Sequence, residues 1–140
     1  MTSTGEQIID RFVTTLNERD FDGFEALFAD DYQQHQALAT ISGNPAAKHA
    51  VRTYYQDRIA AFPDMVITAQ PYLANDEYIA VNLVYSGTHQ GAYLGIAPTD
   101  RKVTFNSTDI MRIRGDQLAE HWGTVDLHGL LQQLTTTIGA

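Results

Sequence analysis

The apolar residues change period at one point in the chain. Through Phe62 they recur every three or four positions, and after the break at Phe62-Pro63-Asp64 they alternate. A helical half followed by a stranded half leaves few architectures open. The helices have to cover one face of a sheet built from the residues that follow, an α+β arrangement. If that sheet is long and curved, it wraps around the helices and leaves a pocket between the layers.

The helical half divides into three. Ser3 and Glu6 have the spacing of a capping box, and Ile8, Ile9, Phe12, Val13 and Leu16 follow at helical spacing, so a first helix is predicted over about residues 4–19. Asp20 can cap a short second helix carrying Phe21, Phe24, Leu27 and Phe28. The polar stretch 29–44 reads as a loop with at most one helical turn. Asn44-Pro45 is a helix-start signal, and Ala47, Val51, Tyr54, Tyr55, Ile59 and Phe62 form the apolar stripe of a third helix that Pro63 ends.

In the stranded half, 65–73 is a strand in which Pro71 marks an edge or a bulge. Residues 77–91 form a longer strand, apolar on both faces and therefore expected to be central. A Gly- and Pro-containing loop leads to a strand over 102–113, a tight turn at Arg114-Gly115-Asp116-Gln117, a partner strand over 118–126 and a short closing helix at 127–134. One domain is expected for 140 residues, a length that supports a core without staples.

Composition excludes several functions. There is no cysteine, hence no disulfide, thiolate nucleophile or cysteine metal site. The net charge of −8 and the scattered nine Lys and Arg argue against nucleic acid. None of the five His forms an i, i+4 ligand pair, so no metal is expected. No Gly-x-Ser-x-Gly motif signals a nucleophilic serine. The first residues lack the basic and apolar regions of a signal peptide, and no apolar run reaches membrane-spanning length; a cytoplasmic location without membrane association is the expectation.

One residue stands out against this background. Strand alternation places Phe105, Ser107, Asp109, Met111 and Ile113 on one face and Asn106, Thr108, Ile110 and Arg112 on the other. A carboxylate among Phe, Met and Ile needs a reason, because desolvating the charge is costly. A general acid/base on a pocket wall is one reason, since an apolar cavity raises a carboxyl pKa toward neutrality. The alternatives are that Asp109 points outward or pairs with Arg112 or Arg114. Strand parity opposes Arg112.

Three stretches, "FPDMVIT", "SGTHQGAYLGIAPTDRKV" and "TDIMRIRGDQLAEHWGTVDLHGLLQQL", resemble in order and spacing the SnoaL-like polyketide cyclase family of the ketosteroid isomerase and nuclear transport factor 2 superfamily. The resemblance spans nearly the whole chain. It implies a cone-shaped α+β barrel, with three N-terminal helices packed in a strongly curved, mostly antiparallel sheet and a short C-terminal helix. It also implies a homodimer paired through the outer sheet face. The chain departs from the family at Asp100, where a Gly follows Pro-Thr, and on the first helix, which offers Phe12 and Leu16 where some cyclases carry a Tyr.

The resemblance implies that Asp109 is the essential acid/base of a cofactor-independent enzyme. Its substrate would be a hydrophobic carbonyl compound, polycyclic ones included, closed by intramolecular aldol reaction or isomerised. His35, near the cavity mouth in relatives, would orient Asp109 or bond a substrate oxygen; otherwise it is a solvated loop residue. His89 belongs to the loop motif and either touches substrate or bonds backbone in the turn. His121 and Trp122 are neighbours on a strand, so one lines the pocket and the other the outer face. Trp122 is the expected pocket residue, because a flat apolar surface suits a polycyclic ligand. Phe105 shares the Asp109 face, and one of the Tyr54 and Tyr55 hydroxyls reaches the cavity to polarise a substrate oxygen. Asp126 is read as the cap of the closing helix. Two other functions stay open: a non-catalytic hydrophobic-ligand or dimerisation module, and an epoxide hydrolase, which would need an Asp–Arg–Asp set with Arg112 in the cavity.

Overall fold

The computed structural model describes residues 2–35 and 47–136. Helices α1 (Thr4–Asn17) and α2 (Phe21–Glu25) lead into strand β1 (Phe28–Gln34). Helix α3 (Ala47–Ala61) precedes β2 (Val66–Ala74), β3 (Tyr78–Thr88), β4 (Lys102–Arg114) and β5 (Gln117–Val125), and α4 (Leu127–Thr135) closes the chain. The Asn44-Pro45 start signal lies outside the described residues.

The capping signals act as the sequence predicts. Glu6 N–H donates to the Ser3 hydroxyl while the Glu6 carboxylate accepts from Ser3 N–H. Asp20 caps α2 through Gly23 N–H, and Asp126 caps α4 through Gly129 N–H at 2.8 Å. Arg19 ties the end of α1 to the turn after α3 by donating to the carbonyls of Leu16, Pro63 and Met65.

The sheet order is β1-β5-β4-β3-β2. All neighbours are antiparallel except β1, which runs parallel to β5. This corrects the loop expected over 29–34. Asp30, Asp31 and Gln33 made the segment look irregular, but they face solvent while Phe28 and Tyr32 are buried, and β5 supplies the backbone partners. The two carboxylates also suit an edge strand, which charge protects from stray pairing. Pro71 sits on the other edge strand, at a register shift between Ala69 and Tyr72.

The sheet curls around the helices without closing. Its inner face, with Ile79, Val81, Leu83, Tyr85 and Met111, joins Ile8, Phe12, Val51 and Ile59 in one core. Every residue of the predicted inner face of β4, from Phe105 to Ile113, is buried. No described helix is long and apolar enough to cross a membrane.

One irregularity decides what β5 presents. The β4–β5 hairpin turns at Gly115, whose φ of 67° is left-handed. Arg114 pairs with Gln117 and Ile113 with Leu118, but Arg112 pairs with Glu120. Ala119 is therefore an extra residue, a β-bulge, and both it and Leu118 are buried. A regular ladder would have set Trp122 opposite Asp109. The bulge sets Gly123 there, with His121 opposite Met111 and Trp122 opposite Ile110. A one-residue offset exchanges the faces of all that follows, so His121 points inward and Trp122 outward.

Candidate active site

The carboxylate of Asp109 is 2 % exposed and fully partnered. His121 Nε2 lies 2.6 Å from Oδ1, and Ser107 Oγ donates to Oδ2 at 2.6 Å. A carboxylate only accepts, so His121 carries its hydrogen on Nε2. Nδ1 is then an acceptor and receives Gln34 Nε2–H at 2.7 Å. Tyr32 donates in turn to Gln34 Oε1. On the other side the Ser107 hydrogen is spent on Asp109, so the Tyr85 hydroxyl donates to Ser107 at 2.9 Å and Tyr55 donates to Tyr85 at 3.1 Å. Donors thus run toward one negative charge from both directions. That answers why a carboxylate survives among apolar neighbours: each lone-pair direction that matters is met.

Burial keeps these phenols neutral. It pushes the Tyr85 hydroxyl up to about 12, with the Asp109 charge adding to the effect and Arg58 opposing it. Tyr55 is held well above its ordinary value, again by burial first.

A second buried charge lies nearby. Arg58 is fully buried on α3. Its Nε donates to the Tyr93 hydroxyl at 3.1 Å and Nη2 donates to the Tyr54 hydroxyl. Its guanidinium carbon is 4.4 Å from the centre of the Tyr54 ring, 4.7 Å from Tyr85 and 5.2 Å from Phe105. Among the described residues no carboxylate pairs with it, and Nη1 has no hydrogen-bond partner.

Between α1, α3 and the sheet lies a small cavity. It is lined by Phe12, Phe28, Val51 and Met111 together with Tyr32, Tyr54, Tyr55, Gln34 and His121. Its volume is about 20 Å³, room for roughly one water. His121 lines it, and Asp109 reaches it through His121.

The profile of the SnoaL-like polyketide cyclase family matches residues 6–134. The chain belongs to this family. Among solved structures it is similar to wild-type IdmH from Streptomyces antibioticus, at 26 % identity over 92 % of this chain and 96 % of that one, with a TM-score of 0.79. TsrD from Streptomyces laurentii is 21 % identical over 94 % and 95 %, with a TM-score of 0.81. A SnoaL-like polyketide cyclase from Agrobacterium tumefaciens is 18 % identical over 96 % and 99 %, with a TM-score of 0.76. The last two likenesses show the fold alone. No curated protein matches the chain.

Against the expectations drawn from the SnoaL-like family, Asp109 points inward as strand parity placed it but is not itself on the cavity wall, and both Tyr54 and Tyr55, where the hydroxyl of one was expected, line the cavity. Trp122 does not: it is 38 % exposed on the outer face, put there by the bulge, and His121 takes the inner position. His35 does not meet Asp109. Its ring stacks on Trp122 at 5.0 Å and its Nε2 bonds Glu120 at 2.8 Å, outside the sheet. Hydrogen bonds from His35 and Arg112 hold the Glu120 carboxyl below its ordinary pKa. Phe105 lies in the core, stacked on Tyr85 at 5.0 Å, and does not line the cavity. His89 is buried in the loop motif. Its Nδ1 accepts from Thr99 N–H at 3.2 Å, its backbone N–H donates to Arg101, and burial pushes its pKa down. It braces the loop rather than the cavity.

Arg112 pairs with Glu120 at 2.6 Å and Arg114 with Asp31, both away from Asp109, so the Asp–Arg–Asp set of the hydrolase reading is not assembled among the described residues. The family departure at Asp100 has a local cause: its φ is 59°, a conformation that Gly takes freely and that Asp tolerates better than most residues. Sequence reasoning missed Arg58 altogether. The signal was available, since Val51, Tyr54, Arg58 and Phe62 fall on one helical stripe.

Proposed function

We propose that the protein is a cofactor-independent acid/base enzyme that closes or isomerises a hydrophobic carbonyl compound through an enolate, as a polyketide cyclase does. One observation carries this reading: a buried His121–Asp109 pair whose imidazole lines a cavity with apolar walls. Substrate displaces Gln34 from His121 Nδ1. That nitrogen takes a proton from a carbon flanked by carbonyls, and the imidazolium formed is held by Asp109 at Nε2. In a cyclisation the enolate carbon then bonds to a second carbonyl carbon of the same chain. The proton returns from Nδ1 to the new alkoxide oxygen, so one C–H bond and the π bond of the second carbonyl are exchanged for one C–C and one O–H bond. A cavity of this size has to widen around any such substrate, and Gln34 is the polar group whose movement frees the base.

The test is turnover of a panel of linear polyketones, followed by mass spectrometry of the products. Wild type is expected to cyclise or isomerise at least one of them. Asp109→Asn and His121→Phe are expected to lose about 100- to 10,000-fold while keeping a folded circular dichroism spectrum. Undiminished turnover in both variants contradicts the assignment. Equal ligand binding by wild type and Asp109→Asn, with no turnover by either, supports the non-catalytic binding module instead.

A separate observation favours self-association. Tyr78, Ile110 and Trp122 are exposed on the outer sheet face, at 41 %, 46 % and 38 %. We propose that two copies pair there. Light scattering is expected to give a dimer for wild type and a monomer for Ile110→Glu; a monomeric wild type contradicts it.

A further inference from the structure

Arg58 has no place in the proton path, and its burial needs a reason of its own. A guanidinium cannot shed its charge at any ordinary pH. An apolar side chain of similar length would pack among Tyr54, Tyr55, Tyr85 and Phe105 without the desolvation cost that a buried ion carries. Two phenol oxygens and the faces of aromatic rings compensate that cost only in part, and Nη1 is left without a partner among the described residues.

What Arg58 does to Tyr54 supplies the reason. Three tyrosines line the cavity: Tyr32, Tyr54 and Tyr55. Tyr32 spends its hydrogen on Gln34, and Tyr55 spends its own on Tyr85, at the head of the relay to Asp109. Tyr54 differs. Its oxygen accepts from Arg58 Nη2, so its hydrogen has to point away from the guanidinium, and no described residue accepts it. A phenol whose oxygen already receives a cationic donor is also a stronger donor through its own hydrogen.

Building on the enolate reading above, we propose that Arg58 is a positioning residue: it turns and polarises the Tyr54 hydroxyl, which then holds the substrate's enolate oxygen while His121 carries the proton. The cavity accordingly has a basic wall at His121–Asp109 and an electrophilic one at Tyr54–Arg58. The ligand class that fits both is a 1,3-dicarbonyl compound, whose acidic carbon and charge-bearing oxygen are separate atoms of one small unit. Burial raises the Tyr54 hydroxyl and the Arg58 charge pulls it back.

The test needs no knowledge of the natural substrate. Acetylacetone is titrated into the protein and its enolate followed by ultraviolet absorbance; the central carbon gives its proton, by way of His121, to the buffer. Wild type is expected to bind it as the enolate at a pH below that at which the free compound ionises. In Arg58→Met and in Tyr54→Phe the bound compound is expected to need a pH higher by about one to three units, with Arg58→Lys in between. An analogue methylated twice at the central carbon, which cannot form this enolate, is expected to bind wild type and Arg58→Met equally. A purely structural Arg58 would weaken both compounds alike, which overturns the proposal. So does an Arg58→Met protein that ionises acetylacetone as wild type does. If Arg58→Met does not fold, Tyr54→Phe decides on the same criterion, and a wild type that binds neither compound also overturns the proposal. Polyketone turnover with no effect of Arg58→Met on enolate formation would sink this inference and leave the His121–Asp109 assignment standing.

Discussion

Asp109 on β4 and Arg58 on α3 are both buried charges, and they are housed differently. Asp109 has two direct donors at 2.6 Å and a relay of further donors aimed at it from either side. Arg58 has no anion among the described residues; phenol oxygens and ring faces surround it, and one of its nitrogens is unpartnered. Strand register brings the partners of Asp109 to it, because cross-strand neighbours share a face. Helical spacing supplies Tyr54 to Arg58, four residues before it. The difference teaches that the carboxylate is a satisfied charge, anchored in place, and the guanidinium an unsatisfied one. The first suits a group that has to hold an imidazole through repeated proton transfers. The second suits a group whose field is meant to act on something else.

Replacing each charge with an apolar residue should separate the two sites most. Asp109→Leu strands His121 Nε2–H and the Ser107 hydroxyl in the core, and urea denaturation is expected to show a loss of about 2–5 kcal/mol. Arg58→Met removes an ion that lacks a counter-charge among the described residues, and it is expected to hold or gain stability, by up to about 4 kcal/mol. Equal losses from the two would erase the distinction drawn here.

The tyrosines that serve both charges give the next effect. Tyr85 ionises near 10 in the unfolded chain and near 12 in the folded one. Below pH 10 both states hold the proton and stability does not depend on it. Above pH 10 the unfolded state alone releases it, so stability falls as pH rises and the contribution is gone above pH 12. The loss should be about 2–3 kcal/mol, read from melting temperatures taken across that window. Tyr85→Phe should flatten the slope; an unchanged slope would contradict the assignment.

The smallest expected effect lies on the outer face. Trp122→Ala should alter turnover less than about threefold in a variant that retains its oligomeric state, because the ring never enters the cavity. A loss as large as that from His121→Phe would mean that the bulge at Ala119 does not hold in solution.

The same comparison explains what could be read in the sequence. The inner face of β4 was legible because an uninterrupted strand has a fixed period, and Asp109 broke an apolar face. The caps at Ser3, Asp20 and Asp126 were legible because a cap is a local hydrogen bond. Residues 28–34 were not, since a polar edge strand paired in parallel with a distant segment owes its form to that partner and not to its own composition. Trp122 was misplaced by the extra residue Ala119, which exchanges the two faces of β5 and leaves no mark in the hydropathy pattern. His35 went astray with it, because it follows Trp122 to the outside. Arg58 broke an apolar helical stripe just as Asp109 broke an apolar strand face. Applying one rule to both halves of the chain would have found it.

Nitrogen NMR of selectively labelled histidine reads directly whether the His121 imidazole is held by the buried Asp109 carboxylate. At neutral pH His121 is expected to carry its hydrogen on Nε2, with Nδ1 free of hydrogen, and to lose that preference in Asp109→Asn. A His121 protonated on Nδ1 alone, or a tautomer indifferent to Asp109→Asn, would contradict that pairing.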